Sequence, residues 1–280
     1  MSKVKFHYYK IAVDKTAPSL NTVLQRLSTL SIANRTKTIY TTEIRLEHIV
    51  KNNGLWELCL TKVRSKNWPG VGSQNGASAD LSLPPQRDLT EHTYALIDPV
   101  KKLLVIQFTQ GGVRASKVGM FLGDHVGLNS AYDCHPVLTK DALTRYQNTK
   151  IFTRIDVGIS GATAGDVAIF NGSPIGSAVK ESVDSGIEDI QITFKVNAVD
   201  KRRALKPSMI RKLVGLVQKS GQATDLKISG RDGPDSNVEQ IDLLEEAKFH
   251  LVDEKEIGLT PGKRYNQIKM FEQLHIAISK

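Results

Sequence analysis

The sequence predicts an α+β protein, with an antiparallel-sheet N-terminal domain followed by a smaller, basic C-terminal α/β domain. Two observations lead to this class. In the first half, strand-like segments follow one another through tight turns at Asn53–Gly54 and Asp98–Lys101, and such hairpins build antiparallel sheets. In the second half, strand-like segments alternate with amphipathic helical ones, which favours a unit of mixed helices and strands.

The predicted N-terminal domain covers residues 1–157. Its first strand, residues 3–13, is rich in aromatic and β-branched residues. Ser19 is the predicted N-cap of a helix whose apolar residues recur at helical spacing up to Leu30. The elements predicted after it are hairpin strands 37–51 with 55–64 and 92–98 with 103–109, helices 114–124 and 140–147, and strands 134–139 and 149–157. Residues 65–88, rich in Gly, Ser, Asn and Pro, are predicted to form a mobile surface loop.

The predicted C-terminal domain covers residues 158–280. GISGATAGD, residues 158–166, is interpreted as a turn at the domain boundary, because it lacks the Lys-Ser/Thr ending of a phosphate-binding loop and does not match GxGxxG. The predicted elements after it are a helix over 165–182, a strand over 190–196, a helix from Pro207 to Gly221, strands over 225–229 and 247–252, and a helix over 264–278.

Composition limits the class of protein. The chain has 280 residues, of which 40% are hydrophobic, and this is long enough to bury a core without disulfides or metals. Its two cysteines, Cys59 and Cys134, lie far apart, which argues for a reducing compartment. The sequence has no apolar run of transmembrane length and no apolar segment typical of a signal peptide in MSKVKFHYYK. We therefore expect a cytoplasmic protein.

The excess positive charge is concentrated in two segments. Residues 1–66 and residues 195–231 each carry a net charge of +8, whereas residues 232–260 carry −7. The run KRRALKP precedes the helix that begins at Pro207, and helix N-termini bind phosphate readily. The predicted DNA-binding residues are Lys201, Arg202, Arg203, Lys206, Arg211, Lys212, Lys219, Lys227 and Arg231. No base-reading motif is present, so phosphate contacts with little sequence discrimination are expected. The alternative is a solvated basic surface.

A second pattern is typical of metal-dependent nucleases. Pro234–Asp235 and Glu246–Ala247–Lys248 resemble their PD…(D/E)xK arrangement. Asp235 and Glu246 would hold Mg²⁺, and Lys248, predicted on the same strand face as Glu246, would stabilise charge on the phosphate. A solvated acidic face is the alternative interpretation of these residues.

No metal site is predicted elsewhere. Asp124–His125 and Asp133–Cys134–His135 are interpreted as surface-loop residues, because adjacent Cys and His cannot easily share one tetrahedral ion. The other histidines are scattered along the chain and are expected to be structural or exposed. The sequence contains no nucleophile elbow, and neither a cofactor nor a small-molecule substrate is predicted.

The order of these elements resembles the RexA phage-exclusion family and the related B component of the Kiwa antiphage system. The resemblance rests on the strand FHYYKI, the helix SLNTVLQRLSTL, the hairpin TTEIRLEHIVKNNGLWELCLTKV, the helix VGMFLGDHVG and the basic tail IEDIQITFKVNAVDKRRALKPSMIRKLV with TDLKISGRDG. It spans most of the chain but includes no invariant motif, and the family has no agreed catalytic residues to carry over.

The resemblance implies a sequence-tolerant DNA-binding protein that forms a homodimer and acts in phage exclusion or abortive infection. It also implies a membrane protein as a further partner. Together with the charge pattern, the leading hypothesis is a non-enzymatic protein that binds double-stranded DNA in antiviral defence. Two alternatives remain, namely the Mg²⁺-dependent nuclease and a protein-interaction module whose basic segments bind an acidic partner.

Overall fold

The predicted α+β class is confirmed in the computed structural model. The described residues form eight α-helices and twelve strands. They are residues 2–39, 41–64, 80–81, 83–84, 88–109, 111–128, 131–162, 164–197, 203–220 and 223–280, without the side chains of Gln218 and Lys219. Most of the predicted loop 65–88 lies outside them. None of the helices in these ranges is long and apolar enough to cross a membrane.

The strands are β1 Lys3–Val13, β2 Thr36–Ile39, β3 Thr42–Asn52, β4 Leu55–Arg64, β5 Leu89–Asp98, β6 Leu103–Phe108, β7 Tyr132–Pro136, β8 Ile151–Ser160, β9 Asp189–Lys195, β10 Ala223–Arg231, β11 Glu239–Asp242 and β12 Phe249–Asp253. The helices are α1 Leu20–Thr29, α2 Ala115–His125, α3 Lys140–Asn148, α4 Ala164–Phe170, α5 Gly176–Ser185, α6 Pro207–Lys219, α7 Glu254–Ile257 and α8 Gln267–Ser279.

The chain forms two compact units that do not follow the predicted boundary at 157/158. The first unit comprises Met1–Phe6, Val13–Ala131 and Leu251–Lys280, and the second comprises His7–Ala12 and Tyr132–His250. The predicted boundary lies inside β8, because Gly158 continues the strand and the chain turns only at Gly161, which has φ 62°. β1 and β12 each have residues in both units, and the C-terminal helix belongs to the first unit.

The sheet of the first unit is an antiparallel meander in the order β6-β5-β4-β3-β2. Asn53 and Gly54 join β3 to β4 with φ values of 49° and 81°, as a two-residue type I′ turn requires. The register of this hairpin shifts between Leu46 and His48, which makes Glu47 the extra residue of a β-bulge. Ser19 caps α1 as predicted, since its Oγ accepts a hydrogen bond from the Thr22 amide at 3.2 Å.

The second unit is built on a four-stranded sheet in the order β11-β10-β8-β9. All three pairings are antiparallel, so this unit is α+β as well and contains no parallel βαβ crossover in this sheet. The apolar face packs against α4, α5 and α6, with Ile155, Val157, Leu226 and Ile228 in the core. The single helix predicted over 165–182 is two helices, because the chain turns at 171–175, where Gly172 has φ 66°.

Gly230 should tolerate no side chain. A Cβ at this position would lie 2.7 Å from the carbonyl oxygen of Ile151 on the neighbouring strand, and the two backbones cannot separate without breaking the β8–β10 ladder. We expect Gly230→Ala to lower the free energy of unfolding by about 1–3 kcal/mol, as overpacking does. Chemical denaturation of both proteins measures this difference.

Gly215 provides the matched control, because a Cβ there meets nothing within 4 Å and the residue lies within α6. Gly215→Ala should raise the free energy of unfolding by about 0.5–1 kcal/mol, since alanine is the better helix former. Equal stability changes in the two variants would contradict the close approach of β8 and β10.

Candidate nucleic-acid interface

Four of the predicted DNA-binding residues are exposed around the N-terminus of α6. Pro207 occupies the first turn of this helix, where its missing N–H costs nothing. The buried side of the helix carries Ile210, Leu213, Val214 and Val217. Arg211 and Lys212 are exposed positions of the helix, whereas Arg203 and the N-cap Lys206 are exposed in the segment before it. The helical period therefore keeps Arg211 and Lys212 out of the core, at the end of the helix where Lys206 lies.

We define the basic patch as Arg203, Lys206, Arg211 and Lys212. The surroundings of this patch are suited to an anion. The first turn of α6 contains no acidic residue, and the N-cap Lys206 makes no side-chain capping hydrogen bond. Among the described residues, Lys206, Arg211 and Lys212 form no ion pair, and the Lys212 Nζ donates only to the Gly172 carbonyl oxygen at 3.1 Å. The positive end of the helix dipole adds to their charge.

Lys227 lies on the opposite, polar face of the same sheet. It alternates with Leu226 and Ile228, which are buried in the core beneath the helices. Its Nζ lies 3.0 Å from the Asp225 carboxylate and 3.7 Å from that of Asp242. The hydrogen bond to Asp225, followed by the charge of that aspartate, raises the pKa of Lys227. The charge of Lys227 is thus already compensated, and this residue does not extend the basic patch.

Arg231 differs from the other predicted DNA-binding residues because it is buried, with 6% of its surface exposed. It is the last residue of β10 and follows a register shift between Ser229 and Gly230. A duplex, which contacts exposed side chains, would not reach it without rearrangement. Lys201 and Arg202 lie outside the described residues, and so does the side chain of Lys219.

Glu246 is held in place by protein groups on both carboxylate oxygens. Its Oε2 accepts a short hydrogen bond from Arg145 Nη2, and its Oε1 accepts from the Asp242 amide at 3.2 Å. Asp235 lies in the turn that joins β10 to β11. A Mg²⁺ ion at Glu246 would therefore have to replace the arginine that orients this carboxylate.

Lys248 does not share a regular strand with Glu246, contrary to the prediction. Glu246 belongs to the turn after β11, and β12 begins only at Phe249. The Lys248 amide donates to the Val137 carbonyl oxygen at 2.6 Å, and the Lys248 carbonyl accepts from the Tyr8 amide at 3.3 Å. Its Nζ lies 4.5 Å from the centre of the Tyr8 ring. These contacts give Lys248 a structural role in the second unit.

The loop interpretation of Asp133–Cys134–His135 is wrong. These residues lie within β7, and Cys134 is buried with 3% exposure. The strand predicted over 134–139 begins two residues earlier, at Tyr132, and ends at Pro136. His125 is also not a loop residue, since it ends α2, where its ring packs edge-on against Phe121 at 4.7 Å between centroids.

A cluster that the sequence did not predict lies on three neighbouring strands of the first unit. Donor atoms of Glu47, Cys59 and His92 lie within 4.8 Å of one another. The bulge in β3 places Glu47 there, while Cys59 in β4 and His92 in β5 are brought together by strand pairing. These residues are separated by up to 45 positions, so only the register of the sheet could have revealed them.

Hydrogen bonds within the protein already satisfy this cluster. Glu47 accepts from Arg45 at 2.5 Å and contacts the His92 ring nitrogen at 3.1 Å. Burial, aided by the negative charge of Glu47, raises the pKa of Cys59 to about 12, so the sulfur is a neutral thiol near neutral pH. A cation here would compete with Arg45 and would have to remove that proton, so the arrangement supports packing rather than metal binding.

The comparison with known families covers the whole chain. Residues 1–280 match the model of a family of unknown function, DUF6731. The chain belongs to this family. No curated protein matches it. The match supplies no activity, and the function is therefore argued from the basic patch.

Cys59 should be unreactive in the folded protein. With a pKa of about 12, only about one thiol in ten thousand is ionised at pH 8, and the thiolate is the reactive species. In a Cys134→Ser background, we expect Ellman's reagent to label native Cys59 at least about a hundredfold more slowly than in denaturant. Rapid native labelling would mean that this cluster activates the sulfur.

His125 should make stability depend on pH. Burial, followed by the charge of Lys37, lowers the pKa of His125 from 6.5 to about 4. Between these values the unfolded chain binds a proton that the folded chain excludes, so stability falls as the pH is lowered through this window. Discounted for partial exposure, we expect a loss of about 1–2 kcal/mol between pH 7 and 4.5 that is absent in His125→Gln. Denaturation curves at several pH values measure this, and identical pH profiles would contradict it.

Proposed function

We propose that the protein binds double-stranded DNA through the basic patch at the N-terminus of α6, without enzymatic activity. The observation that supports this most directly is the exposure of four cations within ten residues of a helix start that has no neighbouring carboxylate in its first turn. Exposed cations can replace the counterions of a phosphate backbone, and the release of those counterions drives association.

Binding through this patch should tolerate any DNA sequence. Lysine and arginine side chains that meet phosphates position a protein on the duplex but do not distinguish bases. Backbone amides of the first turn of α6 add little, because Pro207 has no N–H and the Met209 and Ile210 amides already donate to the Lys206 carbonyl oxygen. The expected interaction is therefore strong at low salt, weak at high salt and nearly uniform among sequences.

The proposed setting is phage exclusion or antiphage defence, and it comes from the resemblance to the RexA family. The same resemblance underlies the proposals that the protein acts as a homodimer and has a membrane-protein partner. We do not extend the proposal to the nuclease alternative, because Arg145 and the Asp242 amide already engage the Glu246 carboxylate.

Neutralising the patch should weaken DNA binding at every sequence. We expect the variant Lys206→Gln/Arg211→Gln/Lys212→Gln to lose at least about tenfold in affinity for a random duplex at ~50 mM salt. The slope of log K against log salt should become shallower by up to about 0.9 for each phosphate contact removed. Fluorescence anisotropy over a salt series measures both effects.

The matched control removes the same charge from paired positions of the second unit. Arg154, Lys180 and Lys227 form ion pairs with Asp156, Asp184 and Asp225, respectively. The variant Arg154→Gln/Lys180→Gln/Lys227→Gln should bind DNA almost as the unmodified protein does. Equal losses in both triple variants would show that net charge, and not the patch, governs binding.

The same samples distinguish the alternatives when they are divided into tubes with and without Mg²⁺. Intact DNA in both tubes is the expected result. Mg²⁺-dependent cleavage that Asp235→Ala abolishes would overturn the proposal in favour of a nuclease. Absence of binding to any duplex at ~50 mM salt, where phosphate contacts are strongest, would instead favour an acidic protein partner for the patch.

A further inference from the structure

A cavity opens in the second unit at the end of the four-stranded sheet. Its volume is about 330 Å³, near the lower limit for a site that takes a small molecule. The C-terminal turn of α3, the end of β10 and the turn from β10 to β11 form its walls. The lining residues are Arg145, Asn148, Thr149, Gly230, Arg231, Asp232, Ser236, Asn237 and Glu239.

Arg231 is the unusual member of this lining. Only 6% of its surface is exposed, and its buried Nε and Nη2 atoms have no hydrogen-bond partner. These two nitrogens form one edge of the guanidinium, the edge that pairs with two oxygens of a carboxylate or a phosphate. Since buried charges are normally paired and hydrogen-bonded, this edge lacks the partner that its environment requires.

Most carboxylates near Arg231 already have partners. Among the described residues, none forms an ion pair with Arg231. The guanidinium of Arg145, the other cation of the cavity, is held by Asp141 at 2.9 Å and by Glu246. Asp232 accepts a hydrogen bond from Ser236 and from backbone amides of its own turn, and these bonds lower its pKa. Arg231 is therefore the cation of the cavity that has no carboxylate partner among the described residues.

We propose that this cavity binds a phosphate monoester of a small molecule, with the phosphate on Arg231. A phosphate offers more acceptor oxygens than the two of a carboxylate. The exposed side chains of Asn148 and Asn237 make no hydrogen bonds within the described residues, so their amides can donate to the remaining oxygens. The carboxylate of Glu239, on the same wall, provides an acceptor for a hydroxyl group of the ligand. This site is independent of the basic patch on α6.

Isothermal titration calorimetry in a phosphate-free buffer tests the proposal with ribose 5-phosphate, inorganic phosphate and ribose. We expect one ribose 5-phosphate per chain, weaker binding of inorganic phosphate and no binding of ribose. Equal affinities for ribose 5-phosphate and inorganic phosphate would overturn the assignment to a monoester, because the organic part would then contribute nothing. Absence of ribose 5-phosphate binding would overturn the site itself.

The variant Arg231→Met removes the charge while it keeps the length of the side chain. We expect at least a tenfold loss of ribose 5-phosphate affinity, whereas Arg154→Met, on the polar face of the same sheet, should bind normally. In the absence of ligand, Arg231→Met should unfold at the same temperature as the unmodified protein or at a higher one, since an uncompensated buried charge is lost. Ribose 5-phosphate should raise the unfolding temperature of the unmodified protein only. Equal stabilisation of both proteins would contradict the role of Arg231.

Asn237→Ala keeps the test valid if Arg231→Met does not fold. Asn237 is exposed, so this variant should leave the unfolding temperature unchanged and weaken ribose 5-phosphate binding several-fold.

Competition with duplex DNA separates this site from the proposed function. DNA that displaces ribose 5-phosphate would assign Arg231 to a DNA phosphate and overturn the small-molecule site, whereas simultaneous binding of both supports two separate sites.

Discussion

The alternation of side chains along β10 decides which cations of the second unit remain available to a ligand. Leu226 and Ile228 point into the core, so Lys227 between them faces the polar side of the sheet. There it lies opposite Asp242 of β11 and Asp156 of β8. Asp156 is almost fully buried, and hydrogen bonds from Arg154 and Thr193 lower its pKa although burial alone would raise it. On this face the cations Lys227 and Arg154 are thus paired with carboxylates. Exposed cations that form no ion pair among the described residues lie on the opposite side of the sheet, on α6.

The surroundings of β10 change where its register with β8 shifts, between Ser229 and Gly230. Beyond Ser229 the pairing with β8 moves by one residue, and Gly230 packs directly against the β8 backbone. Arg231 follows immediately and is buried. The extra residue at this shift is Thr153 of β8, so the alternation along β10 continues and Arg231 keeps the parity of Lys227. Unlike Lys227, Arg231 lies where the end of α3 and the turn to β11 form the walls of the cavity.

Local signals in the sequence predicted most of the elements, and contacts between distant residues account for what they missed. The cap at Ser19, the turn at Asn53–Gly54 and the start of α6 at Pro207 each depend on neighbours within four residues, so they could be read directly. The division into two units could not be predicted from such local signals, because β1 has residues in both units and α8 belongs to the first. The basic patch was visible as a charge run, but the compensation of Lys227 and the burial of Arg231 required the register of three strands.

The two proposed anion sites would respond to salt in opposite ways. The cations of the patch are exposed, so added salt screens them and lowers the affinity for a polyanion. The Arg231 guanidinium is shielded from solvent, where charges interact more strongly and salt screens them less. A ligand in the cavity should therefore remain bound at salt concentrations that release DNA from α6. Because α6 and β10 share one core through Leu213 and Leu226, a ligand that fixes the end of β10 would also stabilise the sheet on which α6 packs.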